Sequence, residues 1–196
     1  MGVSDLENIK DIFPNGGTSD GVKIKVAGIV RDYAGDILLV VRQHKDGAVS
    51  IEPPGGALEQ GETLRKGLQR ELGEELGYLH LTAIEERALV GVEDILYKDG
   101  NPKPRLTHYF KCSTLLGLPY NALPDEHKAL IRVPYTPPAD EAQLDSSYAA
   151  LRDKAVELAQ RVLDREKIVP NGEIQFRLPQ QAYLHFHKSS VREPLI

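Results

Sequence analysis

Cysteine occurs once in the chain, at Cys112, so no intrachain disulfide forms and nothing calls for an oxidising compartment. A lone cysteine of this kind reads as a small buried hydrophobe. No apolar run approaches the roughly 20 residues that cross a bilayer, which excludes a helical membrane span within the sequence. The first residues lack the basic-then-apolar order of a secretion signal. Leu6 stands where an N-myristoylation signal wants Ser or Thr. A cytoplasmic protein with no membrane contact is expected. An excess of positive charge is missing too. The net charge is -5 and the pI about 5.7. Such a surface does not attract a nucleic-acid backbone, so polymeric DNA or RNA is not an expected partner. A small phosphorylated ligand stays open, because metal ions can supply positive charge locally.

What is present suits one folded domain with a core. The 196 residues are 41% apolar and 27% charged, without repeats or low-complexity tracts. Val22 to Val30 alternates and then turns apolar, which predicts a strand entering a core. Ala34-Gly35-Asp36 reads as a turn into a second strand, Ile37 to Val41. Glu52-Pro53-Pro54-Gly55-Gly56 breaks regular structure. A helix is predicted from about Glu62, with Leu64, Leu68, Leu72 and Leu76 on one stripe and Gly77 as its stop. Leu79 to Val92 and Leu106 to Thr114 read as strands around a turn-rich 98–104. A second helix is predicted over Ala142 to Arg165. Glu173 to Leu178 and Tyr183 to His187 read as a terminal hairpin, with His185 and His187 on one strand face. Two histidines alone do not make a zinc site. His108 falls in a strand and reads as structural. Strands, helix, strands, helix imply an α/β protein with helices packed on a mixed sheet.

The informative stretch is Gly55 to Tyr78. Glu71, Glu74 and Glu75 are spaced so that one helix face carries all three. Like charges so placed repel, and a hard divalent cation such as Mg²⁺ reverses the sign of that interaction. The leucine stripe borders this face, so the helix can bury leucines while aiming carboxylates into a cleft. Arg70 can orient a glutamate through a bidentate hydrogen bond. Glu62 lies near the helix start, where negative charge is favoured. The Gly55-Gly56 turn lets backbone carbonyls come close to a metal.

These residues resemble a known signature. The Nudix pattern is Gly, five residues, Glu, seven residues, Arg-Glu, an aliphatic residue, any residue, Glu-Glu, any residue, Gly, then a hydrophobic residue. Gly56, Glu62, Arg70, Glu71, Leu72, Glu74, Glu75 and Gly77 match it without insertion. Tyr78 is aromatic where the family usually has an aliphatic residue. The resemblance implies a Nudix-type α/β/α sandwich, here with a C-terminal helix. It implies a Nudix hydrolase domain over residues 22–138; an arm (1–21) and a C-terminal helix and tail packed on the same domain (139–196) are expected outside the resemblance.

The resemblance also implies a chemistry. Glu71, Glu74, Glu75 and the Gly55 carbonyl would hold Mg²⁺, or Mn²⁺ in its place. Glu71 or Glu75 would take the proton from the attacking water. Arg70 would orient, and Glu62 would support the loop. Relatives use a further acid from a later loop, and Glu126 is the candidate. Arg42 stands where it can contact a phosphate or form a surface ion pair. The expected activity is hydrolysis of a diphosphate linkage in a small nucleoside diphosphate derivative: a nucleotide sugar, a dinucleotide or a nucleoside triphosphate. The absence of proline from Ile84 to Tyr97 argues against the usual ADP-ribose type, and Tyr97 is near the place used by dinucleoside-polyphosphate enzymes. The second helix and tail read as a substrate wall or a homodimer contact. The alternative is a non-catalytic module that senses a nucleotide or binds protein through the same fold. Isomerase chemistry on an isoprenoid diphosphate lacks a matched Cys/Glu pair.

Overall fold

The computed structural model describes residues 18–19, 22–77, 80–96, 102–116 and 119–188. The expected arm (all but Thr18 and Ser19), Tyr78 and Tyr97 lie outside the described residues.

Strand β1 (Thr18–Ser19) leads into β2 (Val22–Arg31), and a turn at Asp32 to Asp36 reverses the chain into β3 (Ile37–Gln43). Strands β4 (Val49–Glu52) and β5 (Gly55–Ala57) flank the Pro53-Pro54 break. Helix α1 (Leu64–Leu76) follows, capped by the Thr63 side chain, which accepts from the Lys66 amide. The chain continues through β6 (His80–Leu96), β7 (Pro102–Leu116) and β8 (His127–Val133). Helix α2 (Leu144–Glu166), β9 (Gln175–Phe176) and α3 (Gln180–Lys188) close the described chain. The turn expected at 98–104 yields Pro102 to Pro104 to the start of β7, where prolines are tolerated in a strand.

The sheet is a fork. Strands β2 and β3 pair only near their shared turn, at Val30↔Leu38 and Arg31↔Ile37. Beyond that point β2 pairs with β5 on one edge and, in parallel, with β7 on the other. Strand β3 takes β4 and β8 as its neighbours. Proline supplies no amide donor, so Pro53-Pro54 interrupts the ladder between β4 and β5, although the Pro54 carbonyl accepts the Gly28 amide of β2 at 2.9 Å. The open end of the fork is where the cleft described below lies.

Both faces of the fork are covered, which is why β2 and β3 are apolar on both sides. Ile24, Val26, Val30, Leu38 and Val40 face α1 and meet Leu64, Leu68, Leu72 and Leu76. Ala27, Ile29, Ile37, Leu39 and Val41 face the other way, onto Leu151, Ala155, Ala159 and Leu163 of α2 and Tyr183 of α3. The result is an α/β/α sandwich. Among the described residues no helix is long and apolar enough to cross a membrane.

One expectation fails here. Tyr183 to His187 is part of α3, not the second strand of a hairpin, and β9 pairs in parallel with β4 instead. Five residues of apolar–polar alternation are too few to separate a strand from a helix. Pro179 just before the helix suits a helix start, and burial of Ala182 and Tyr183 against the core favours the helical register.

The helix α1 is short enough that its stability comes from packing rather than propensity. Leu68 is fully buried in that contact. Leu68→Ala is expected to cost about 2–5 kcal/mol, read as a lower urea midpoint at unchanged slope.

Candidate active site

Glu75 lies on the edge of the leucine stripe and is buried with it, 2% exposed. A buried carboxylate needs donors. One oxygen accepts the Gly55 amide at 2.6 Å, and the other accepts from Arg42 Nη2 at 3.1 Å. His127 Nε2, from β8, stands 3.1 Å from the same Glu75 oxygen. It also lies 2.7 Å from Arg42 Nη2, where it can only accept, since a guanidinium has no lone pair to offer. Arg42 further forms an ion pair with Glu52, whose oxygen lies 3.0 Å from Nε without hydrogen-bond geometry, and reaches Glu126 at 3.4 Å. Gly55 is required where it stands. Its φ is +149°, and a Cβ would run into the Val26 carbonyl and the Ala27 backbone.

Arg70 is the second hub, and every N–H it owns is engaged. Nε and Nη2 grip the two Glu62 oxygens at 2.9 and 3.0 Å. The remaining Nη2 proton goes to the Ala57 carbonyl at 2.9 Å. Nη1 donates to Glu71 at 2.9 Å and to Glu74 at 3.2 Å. The hydrogen bonds from Arg70 hold the Glu62 carboxyl below its ordinary value. Glu71 goes the other way. Burial raises its proton affinity, Arg70 opposes the rise, and the charges of Glu75 and Glu74 add to it. The Glu71 carboxylate sits directly against Gly56, in space that a Cβ at position 56 would fill.

These groups line a cleft of about 450 Å³ at the open end of the fork. Glu52, Glu71, Glu74, Glu75 and Glu126 line it with Gly55 and Gly56, and Lys25, Arg42, Arg105 and Arg177 bring positive charge to the same cleft. Burial pushes the Glu52 carboxyl up, but Lys25 and Arg42 outweigh it and leave it below its ordinary value. Burial likewise pulls the Lys25 ammonium down, against the pull of Glu52.

Of the residues singled out in the sequence, Gly55, Glu71, Glu74, Glu75, Glu126 and Arg42 share this cleft. Glu62 and Arg70 stand behind it and fix the wall. Glu126 is the outlier, 59% exposed and tied, among the described residues, to the cluster through Arg42. His108 is buried in β7, as a structural residue would be. Sequence reasoning missed Lys25, Glu52, Arg105, His127 and Arg177. Lys25 had a signal, a charge alternating into a core strand, and so did His127, beside Glu126. Nothing local marks Arg105 or Arg177.

Among the described residues no three acidic, histidine or cysteine side chains converge into a ready-made metal cage. Arginines hold the carboxylates in place instead. The donor set still fits a hard divalent ion. It is all oxygen, the Glu71 carboxylate is seated on a glycine, and Mg²⁺ needs few protein ligands because it keeps water.

A forked mixed sheet between helices, with an acidic loop–helix at its open end, defines the class. Residues 22–159 match the NUDIX domain family model, and the chain belongs to that family. Over 58 residues it is 47% identical to an 8-oxo-dGTP diphosphatase of Haemophilus influenzae, a stretch that covers 29% of this chain and 43% of that protein. The match thus spans less than half the length of that relative. A MutT protein from Methanosarcina mazei Go1 shares the fold, with a TM-score of 0.50 and 20% identity over 76% of this chain and 99% of that one. A NUDIX hydrolase from Nitrosomonas europaea aligns with a TM-score of 0.47 and 19% identity, over 76% of this chain and 93% of that one.

Arg70→Ala is expected to destabilise the protein by about 1–3 kcal/mol in urea denaturation at neutral pH, a range discounted for partial exposure. Arg70→Lys recovers only part, since an ammonium cannot reproduce the fork. The Glu62 share has a definite pH window. Its carboxyl is depressed in the fold, so the contribution is intact above the ordinary value of 4.5 and is lost as pH falls through the lower folded value. The gap between wild type and Arg70→Ala should therefore narrow in acid.

Proposed function

We propose that the chain hydrolyses the phosphate–phosphate linkage of a small nucleoside diphosphate derivative, with Mg²⁺ as its ion and Mn²⁺ as a substitute. The observation that carries this reading is the position of Glu71. It is seated on Gly56, flanked by Glu74 and Glu75, in a cleft that Lys25, Arg42, Arg105 and Arg177 also line. An 8-oxo-dGTP-like triphosphate is one substrate within this class, by similarity to the Haemophilus influenzae relative.

Glu71, Glu74, Glu75 and Glu126, with the Gly55 carbonyl, are the oxygen donors available to the ion. A bound divalent ion would offset charge on the diphosphate and make a coordinated water more acidic. The protein's own part is positioning. Glu75 has one oxygen on the Gly55 amide and the other on Arg42, so its orientation is set. Glu71 has one oxygen on Arg70, and burial raises its affinity for a proton. That combination favours Glu71 over Glu75 as acceptor of the proton from the attacking water. Glu62 and Arg70 keep the Glu71 wall in place. Arg42 orients Glu52, Glu75 and Glu126 from a position where the cleft also exposes it to a phosphate.

With Mg²⁺ present, a panel of nucleoside diphosphate derivatives should yield a mononucleotide or phosphate product, and EDTA should stop the reaction. Glu71→Gln and Glu75→Gln should each lower kcat by at least about 100-fold, within the range of general-base and electrostatic losses. Glu71→Gln carries a second signature. Its carboxyl is raised in the fold, so the ionised form costs stability, and that cost grows as pH rises from the ordinary value of 4.5 to the raised one and stays level above it. In EDTA the Gln variant should melt higher than wild type. A folded wild-type protein that leaves the whole panel intact with either metal overturns the assignment.

A further inference from the structure

The family match ends at residue 159, yet the cleft does not. After α2 the chain returns and docks β9 onto β4, Ser50 beside Gln175 and Ile51 beside Phe176. The Arg177 amide extends this pairing with a 2.8 Å bond to the Ile51 carbonyl, which sets Arg177 alongside Glu52. The segment is pinned from both sides. The Asn171 amide donates to the Gly47 carbonyl at 2.9 Å, and the Tyr148 hydroxyl donates to the Leu178 carbonyl at 2.7 Å. The Gln175 side chain holds the guanidinium, accepting from Arg177 Nη2 at 2.7 Å and Nε at 3.1 Å. Arg177 is thus aimed, not trailing.

It is aimed at a small recess in the cleft. Lys25, Glu52, Arg105 and Thr107 line the recess with it, and its free volume is about 10 Å³. That is about the space of one oxygen atom or one water. Register explains the grouping. Lys25 on β2 pairs with Thr107 on β7, and Arg105 is two residues earlier on the same face of β7. Lys25, Arg105 and Arg177 are therefore gathered at one recess, beside the Glu52 carboxylate. The Thr107 hydroxyl is 2% exposed as a residue and its oxygen has no hydrogen-bond partner. A buried hydroxyl without a partner is costly, and it can donate to an acceptor that enters the recess.

We infer that Arg177, with Lys25, Arg105 and Thr107, forms a phosphate-binding site at the cationic end of the cleft, separate from the carboxylates of α1. The deep recess takes one phosphate oxygen, and the guanidinium and ammonium groups hold the rest at its mouth. As a site in the same cleft, this inference rests on the hydrolase reading for its biological use, but not for its binding chemistry. The phosphate has two sources: a phosphate of the substrate remote from the carboxylates, or free phosphate released as product.

Calorimetric titration of inorganic pyrophosphate into the 196-residue chain in EDTA tests the site without turnover. Wild type should bind, Arg177→Gln should weaken binding about tenfold or more, and Arg177→Lys should recover part, as expected for a charge-assisted contact. Arg165→Gln, on the exposed end of α2 and paired with Glu166, should bind like wild type. Kinetics then separate the sources. A raised KM for a nucleoside triphosphate at little-changed kcat assigns the site to substrate; unchanged KM with relief of inhibition by inorganic phosphate assigns it to product. Pyrophosphate binding that is absent in wild type, or unchanged in Arg177→Gln, overturns the inference and leaves Arg177 as a brace for β9. Arg177-dependent binding in a protein that hydrolyses nothing keeps the site and removes the hydrolase. Hydrolysis indifferent to Arg177, with no such binding, does the reverse.

Discussion

A carboxylate carried into the interior by a leucine stripe has to find donors there, and Glu75 finds them on two other strands. The Gly55 amide belongs to β5 and the Arg42 guanidinium to β3, and Arg42 also donates to His127 of β8 beside them. Without these partners the burial of Glu75 would cost several kcal/mol. With them, one side chain locks α1 to both prongs of the fork. The cleft is the space that this lock keeps open. Its shape depends on Gly55 adopting a conformation closed to other residues, so that the amide can point at the helix.

The same lock sets the electrostatics. Two arginines hold the acids: Arg70 gathers Glu62, Glu71 and Glu74, and Arg42 gathers Glu52, Glu75 and Glu126. Glu62 and Glu52 are left more acidic than usual, while Glu71 is left less so. Glu62 stands behind the wall, while Glu71 and Glu52 both line the cleft.

Much of this was readable in the residues. The stripe Leu64, Leu68, Leu72, Leu76 and the stop at Gly77 marked α1, because a helix repeats every 3.6 residues and a glycine ends it well. The glutamate spacing marked an acidic helix face for the same reason. Strands β2 and β3 were visible from their apolar content, and α2 from its period. The short strands β4, β5 and β8 were not singled out, since a few residues carry no distinguishable period. The terminal segment was misread for that reason, and α3 forms because Ala182 and Tyr183 find a core that the local pattern does not reveal.

What the sequence determined by itself is the set of local elements and the acidic loop–helix, because helix period, capping and glycine conformation act between residues a few positions apart. The tertiary structure alone decided which distant groups meet those acids. Arg42 reaches Glu75 across 33 positions, His127 lies 52 positions beyond Glu75, and Arg177 arrives only when β9 pairs with β4. Such meetings depend on strand partners and registers, which are chosen by burial over the whole domain and leave no periodic trace in the chain.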